Sequence, residues 1–517
     1  MIFVPVVLLL GGACLAWLVR LRQERVSWGV TVGAALLAWL VALGLRGLIG
    51  GEVRLPFASP GEVHGSGLIL VLDGVGWRGL VGTATVVLSV ALTGVLRTGP
   101  GRGEARALML GYSALAMASM LAGSMLTLVL AWAIMDGGSL VLGRRVDPEG
   151  KAVQQLVTRS TIDTLALVLL TAAAAFEWSA GGAGEFGLPR ASVQGFLILG
   201  LAGLLRLGLL PPHFGLPAVP GMQRGMGTLL RLLPAASVLS ALARAVEAGI
   251  PAEALVWMRV AGAIGIAVGG LRWALATDLL EARRFLVVTI CSVGVLGAAL
   301  VPEAQSDVLS ACNVVLLLAG VGVSLSQLYS RWHRLWGFGA GMMLLGAPLT
   351  PAAGALGGIA TGSFSGGLGW VATMVAGMAL AAVGAIREAL KPVSPWPSSE
   401  RLLRVAYTLG LALPFAVGLG IGVLNRSPHP GPGAAAFGVA AGLAGAGHLV
   451  RGRLSPRSLH RLERLSDLLD PDPLYRATGT VIRAGLSLLH AVASVIEGRG
   501  AMLWTFVIVI LAWLATH

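Results

Sequence analysis

The sequence predicts an all-α, polytopic membrane protein of about 14–16 transmembrane helices. Three observations predict it. Hydrophobic residues make up 56% of 517 positions and charged residues 12%, with a mean hydropathy of +0.84. Apolar runs of about 18–22 residues recur from end to end, each long enough to cross roughly 30 Å of hydrocarbon. The loops between them alternate between basic and acidic or neutral, as the positive-inside rule requires.

The apolar runs place spans at 2–19, 28–49, 79–97, 106–121, 123–143, 156–176, 192–210, 225–246, 254–273, 284–301, 308–329, 336–358, 368–387, 404–424, 434–450 and 500–516. The first has no basic n-region and reads as a retained helix, not a cleaved signal. The fourth and fifth nearly touch, so a very short turn must join them. Basic loops are Arg20–Arg25, Arg97–Arg106, Arg144–Lys151, Arg272–Arg284, Arg331–Arg334, Arg387–Lys391 and Arg451–Arg464. Between them lie Glu52–Asp73, Glu177–Glu185, Glu247–Glu253, Glu303–Asp307 and the uncharged 359–367. This alternation puts the N-terminus outside. Residues 455–497 differ: leucines at helical spacing mix with Arg, His, Glu and Asp, which reads as amphipathic helices on the cytoplasmic side or along the interface.

Composition excludes several functions. The net charge is 37 − 24 = +13, and the two lysines are Lys151 and Lys391. In a soluble protein this would suggest nucleic acid; here it is loop charge, and no aromatic–basic interleaving supports a nucleic-acid partner. Cys14, Cys291 and Cys312 lie far apart in apolar runs without a CxxC. That excludes a disulfide framework, a zinc ribbon and Cys-ligated iron–sulfur clusters. No strand pattern and no glycine-rich phosphate loop is apparent, so neither cofactor nor metal is expected in this chain.

Polar groups inside apolar runs mark the candidate site. Arg206 sits near the end of the seventh span, followed by Pro211, Pro212 and His213. A charge near the bilayer centre costs roughly 2.5–3.5 kcal/mol on insertion scales, and each proline frees backbone carbonyls. A second break, Gly346-Ala-Pro348-Leu-Thr-Pro351, falls in the twelfth span. Broken helices five spans apart suggest two inverted five-helix repeats, over 106–246 and 254–387. N-terminal helices (1–105), C-terminal helices (404–450) and a last span (500–516) flank them. Asp136 in the fifth span and Asp163 in the first turns of the sixth supply carboxylates, and His213 a group titrating near neutrality. Asp136, Arg206 and His213 read either as a proton entry or as a structural ion pair with a capping histidine. Asn313 is the most polar central group of the eleventh span. Leu232–Ala243 and Leu335–Ile386 carry no charge, and no span contains a lysine. Arginine cannot stand in as a proton carrier, because it does not deprotonate in proteins.

Arg206-x-Gly-x-x-Pro211-Pro212-His213-Phe-Gly-Leu216-Pro217 resembles the K-x-G-x-x-P-F-H-x-W-L-P motif of the antiporter-like membrane subunits of respiratory complex I. That family also includes subunits of multisubunit cation/proton antiporters and membrane-bound hydrogenases. Leu72-Asp73-Gly74, Asp136-Gly-Gly-Ser-Leu140, Asp278-Leu-Leu, Asn313 seven before Gly320, and Gly346-Ala-Pro348-Leu-Thr350 are similar to further family motifs in the same order. The resemblance covers roughly 68–360 plus the tail at Glu497–Trp504. It implies a proton-translocating subunit of an NADH:quinone oxidoreductase of the respiratory chain or a related complex. Other membrane subunits, the lipid bilayer and protons would be its partners, in the bacterial inner membrane. It maps Asp136 onto the family's Glu and Arg206 onto its first Lys. Asn313 falls on the eleventh-helix Lys, and Ala235 or Ala236 on the eighth-helix Lys, so the implied relay is degenerate. Two alternatives stand beside this reading: a non-conducting structural subunit, or a membrane partner in proton-coupled ion or bicarbonate uptake. No redox site is expected in this chain.

Overall fold

The structure is a computed structural model. It describes residues 1–20, 24–55, 67–96, 102–146, 151–182, 184–186, 192–210, 224–353, 367–424 and 430–453, with Ser458, Arg461, Thr480 and Ser487. Pro211, Pro212 and His213, most of 455–497, and the span at 500–516 lie outside the described residues. Met1–Ser466 forms one compact unit and Asp467–His517 a second. The first unit holds the helical bundle.

Helices α1 (Val4–Val19) and α2 (Glu24–Gly44) come first, α1 with Pro5 in its opening turn. A hairpin comes next, β1 (Gly51–Leu55) antiparallel to β2 (Leu68–Leu72), with Gly51 opposite Leu72 and Leu55 opposite Leu68. This corrects the expectation of no strand. The apolar Leu68–Leu72 run cannot be told from the edge of a span by periodicity alone. Asp73 then caps α3 (Gly74–Thr93), its carboxylate accepting from the Gly76 N–H at 2.5 Å. Helices α4 (Arg102–Met120) and α5 (Met125–Val146) are joined by the short turn expected of them. That turn extends the hairpin: Val71 N–H donates to the Leu121 carbonyl (2.8 Å) and Gly123 N–H to the Ile69 carbonyl (2.7 Å).

Helix α6 (Lys151–Ser179) starts earlier than the hydropathy indicates, so Asp163 lies well inside it and not in its first turns. Next come α7 (Val193–Arg206), capped by Ser192, and α8 (Arg224–Ala245), with Pro234 inside. The ninth span is α9 (Ala252–Gly265) running through a π turn at Ile266–Gly270 into α10 (Leu271–Leu275). The rest are α11 (Leu279–Leu300), α12 (Gln305–Leu325), α13 (His333–Leu344), α14 (Leu368–Ala389), α15 (Arg401–Leu424) and α16 (Pro430–Arg453). Among the described residues, eleven helices are long and apolar enough to cross a membrane, and α1 and α7 are shorter apolar helices. Each expected span up to 434–450 falls on a helix.

Helices α3, α8 and α12 form the centre. Helix α12 is buried from Val308 to Leu325 and packs against α3, α8, α11, α13 and α15. Small residues permit the close approach: the Gly320 backbone lies on Leu232, and Gly82 on Leu317. Leu18, Leu37, Leu449 and Val450 on the outer helices α1, α2 and α16 are exposed, as lipid-facing surface must be.

The end of the seventh-span helix and the interruption in the twelfth span each have a definite backbone origin. Helix α7 stops at Arg206, before the proline pair. Gly208 turns left-handed (φ 74°), and the Leu209 N–H returns to the Leu204 carbonyl at 2.9 Å. Glycine reaches this region at little cost, so the chain turns before the prolines are met. Helix α13 stops at Leu344. Gly346 (φ 69°) and Leu349 (φ 65°) are both left-handed, and helical structure resumes at Pro351. Leu349 is the one non-glycine with positive φ among the described residues. Its carbonyl lies against Gly422 of α15, where a Cβ would overlap it. Gly422→Ala is therefore expected to destabilise by about 1–3 kcal/mol, because backbone cannot yield as a side chain does. Thermal unfolding of the purified chain in detergent checks this.

Candidate functional site

The end of α7 delivers Arg206 to α5. Its Nη1 donates to Asp136 Oδ2 at 2.9 Å and its Nη2 to Oδ1 at 2.5 Å, a bidentate pair. The Arg206 side chain is fully buried and that of Asp136 is 15% exposed. One turn before Asp136, the Trp132 ring lies 4.4 Å from Arg206 Cζ. Trp132 Nε1–H donates to Ser237 Oγ on α8 at 2.8 Å, which fixes the ring. The guanidinium is thus held between a carboxylate and a π face, both of which favour its charge.

Asp163 makes no hydrogen bond to this pair, although its charge stands within electrostatic reach of both members. It accepts from Arg159 Nε, one turn earlier on α6, at 3.2 Å, and both side chains are nearly buried. The Tyr112 hydroxyl of α4 is buried without a hydrogen-bond partner among the described residues. It stands within electrostatic reach of both ion pairs. Asn313 Nδ2 donates to Ser240 Oγ at 2.8 Å, linking α12 to α8, while its Oδ1 has no hydrogen-bond partner there. The structure therefore joins Asp136 to Arg206, and leaves Asp163 and Asn313 in separate contacts. His213 lies outside the described residues.

Two further ion-pair clusters escaped the sequence reading. Glu388, at the end of α14, is fully buried between Arg283 Nη2 (3.4 Å) and Lys391 Nζ (2.7 Å). Its segment, Arg387–Lys391, reads as a solvated basic loop; the lone carboxylate in it was the available signal. At the opposite end of α8, Arg244 holds Asp73 through Nε (2.7 Å) and Nη2 (2.9 Å). It also donates to the carbonyls of Met120 (2.7 Å) and Ala122 (3.1 Å). The Asp73 carboxyl is raised by burial, but the Arg244 contacts and the Gly76 N–H outweigh this and hold it below its ordinary 3.8. Nearby Glu247, in the loop after α8, is pushed above its ordinary 4.5 by burial and then by the Asp73 charge. A raised carboxyl binds more protons in the native state, so stability falls as pH rises through the window between 4.5 and the folded value. Glu247→Gln is expected to raise the melting temperature above that window and to leave it unchanged below pH 4.5. Melting curves of both proteins across that range check it. Among the described residues, no group of three or more His, Cys, Asp and Glu is placed to hold a metal ion.

No protein-family model and no curated protein sequence matches the chain. Solved structures do match. A chain of the Mrp complex from Dietzia sp. DQ12-45-1b aligns over 100% of this chain with TM-score 0.73 and 15% identity, and this chain spans 62% of its length. A chain of the membrane-bound sulfane sulfur reductase, an archaeal respiratory membrane complex, aligns over 99% of both chains with TM-score 0.69 and 15% identity. A chain of respiratory complex I from Thermus thermophilus covers 81% of this chain and 98% of its own, with TM-score 0.60 and 18% identity. The chain thus has the polytopic membrane fold of the antiporter-like subunits that its motifs resemble.

Proposed function

We propose that the chain is the antiporter-like membrane subunit of a hetero-oligomeric, complex-I-like redox or antiporter complex, and that it takes part in proton translocation through Asp136. Any redox chemistry belongs to partner subunits. The observation that carries the reading is the buried, bidentate Asp136–Arg206 pair, in the place the resemblance gives to a Glu–Lys pair. Arg206 keeps its charge throughout, so Asp136 is the member that changes state. Protonating it removes one of two opposed charges in a low dielectric and releases the guanidinium from two charge-assisted hydrogen bonds. Ser237, bonded to Trp132 of α5, and the Ser240–Asn313 contact between α8 and α12 supply neutral polar steps. The loop charges orient the N-terminus outside, in a bacterial inner membrane.

One observation favours the second reading, a non-conducting structural subunit. The α8 core from Leu232 to Ala243 and α12 from Val308 to Leu325 contain no charged side chain. Proton flux in proteoliposomes holding the purified complex separates the two. Asp136→Asn is expected to abolish the flux this subunit contributes. Flux unchanged by the substitution would sink the proton reading and leave the structural one.

A further inference from the structure

We propose that the Tyr112 hydroxyl, bridged by ordered water, passes protons between Asp163 and Asp136, so that two buried ion pairs form one proton path. The inference rests on the role given above to Asp136 and extends it to α4 and α6.

Three buried polar atoms around the central pair have no hydrogen-bond partner among the described residues: Tyr112 Oη on α4, Asp163 Oδ1 on α6 and Arg206 Nε on α7. Bulk solvent does not reach them, for Tyr112 and Asp163 are each 3% exposed and Arg206 4%. Native proteins meet such atoms with ordered water, because leaving them dry is costly. The three are chemically complementary: a guanidinium N–H only donates, a carboxylate oxygen only accepts, and a phenol does both. They also stand close together. Tyr112 is within electrostatic reach of Arg159, Arg206, Asp136 and Asp163, and Asp163 of both Asp136 and Arg206. The Tyr112 ring lies against α5 beside the pair: at Gly138, two residues after Asp136, an added Cβ would come within 3.3 Å of Tyr112 Cδ2. No two of the three atoms bond each other, so water must span the gaps. A water among them finds the donor and the acceptors that hold one in a protein interior.

The carboxylates are suited to be the ends of this path. Arg206 binds both oxygens of Asp136, whereas Arg159 binds Oδ2 of Asp163 and leaves Oδ1 free to meet the water. A carboxylate oxygen has two lone pairs, so Asp136 can accept a proton while Arg206 holds it. The arginines keep their protons throughout. In the transfer, the O–H bond on Asp163 Oδ1 breaks as the water gains that proton. The water gives up another to Tyr112 Oη, and the original hydroxyl proton leaves, again through water, for the Asp136 carboxylate. One O–H bond is lost on Asp163 and one is gained on Asp136. The phenol and the water end neutral and unchanged, and the reverse transfer follows the same steps.

The test is proton flux in proteoliposomes holding the purified complex. Tyr112→Phe is expected to lower the flux by about tenfold or more, the scale of losing one group that transfers a proton. Assembly and melting temperature should hold, because phenylalanine fills the same place and the lost hydroxyl bonds no described residue. Tyr112→3-fluorotyrosine, which keeps a hydroxyl in place, should conduct far faster than Tyr112→Phe. Asp163→Asn should lower the flux as Tyr112→Phe does, and it decides the matter should Tyr112→Phe fail to assemble. Wild-type flux in Tyr112→Phe or in Asp163→Asn overturns the path, as does a fluorotyrosine variant as slow as phenylalanine. Asp136→Asn in the same assay tells the two failures apart. If it abolishes flux while Tyr112→Phe and Asp163→Asn do not lower it, the path through Tyr112 fails alone. If flux is unchanged by Asp136→Asn, the role of Asp136 fails and the path falls with it.

Discussion

Replacing Arg244 with leucine is expected to destabilise the protein by about 3–5 kcal/mol, the range for breaking a buried ion pair from one side. The side chain is 2% exposed and joins parts of the chain distant in sequence. It binds the Asp73 carboxylate that caps α3, and the carbonyls at the α4–α5 turn on which the hairpin is built. Removing it leaves a carboxylate and two carbonyls short of donors in a place water reaches poorly. Adding Asp73→Asn to Arg244→Leu should recover part of the loss, because asparagine removes the orphaned charge and still caps the helix. The pH dependence has a definite sign. The folded Asp73 carboxyl is held below 3.8, so the stabilisation is complete above the ordinary carboxylate value and is lost as pH falls through the depressed one. Wild type and Arg244→Leu should therefore differ most near neutral pH and converge only in acid. Melting temperatures in detergent from pH 3 to pH 7 would show it.

The helical spans were legible because hydropathy at this scale is a property of whole segments, and lipid leaves few alternatives to a helix. The end of the seventh-span helix and the interruption of the twelfth were legible because proline and glycine mark them. At the seventh span, however, Gly208 turns the chain before the prolines do. The Asp136–Arg206 pair was legible because a charge inside an apolar run demands a partner. Asp73–Arg244 and Glu388–Arg283–Lys391 were not. Their members stand at span ends, where a charge normally reaches water, and only packing shows that these do not. The setting of Asp163 was only partly legible. It is intramembrane and acidic like Asp136, but its hydrogen bond comes from Arg159 one turn away on its own helix, to Oδ2 alone, while Oδ1 is buried without a hydrogen-bond partner among the described residues.

The remaining large effect separates the energetic role of the central pair from its proposed chemistry. Arg206→Leu is expected to cost about 3–5 kcal/mol, because Asp136 is left without the guanidinium that offsets its burial. Asp136→Leu should cost a similar amount, since Arg206 cannot neutralise itself and retains only the Trp132 face. The double variant Asp136→Leu/Arg206→Leu should be within about 1 kcal/mol of wild type, or more stable, because apolar side chains of similar size spare both desolvation costs. A double variant as unstable as the sum of its parts would mean that the pair is not the coupled unit its geometry describes. A folded double variant is also the sharper instrument for flux. It keeps the fold and the neighbouring Arg159–Asp163 pair while removing the one titratable carboxylate of the central pair. If it assembles with its partners and the complex still moves protons at the wild-type rate, the pair serves packing alone. If flux is lost while assembly and melting temperature hold, the loss belongs to the proton on Asp136 and not to the scaffold around it.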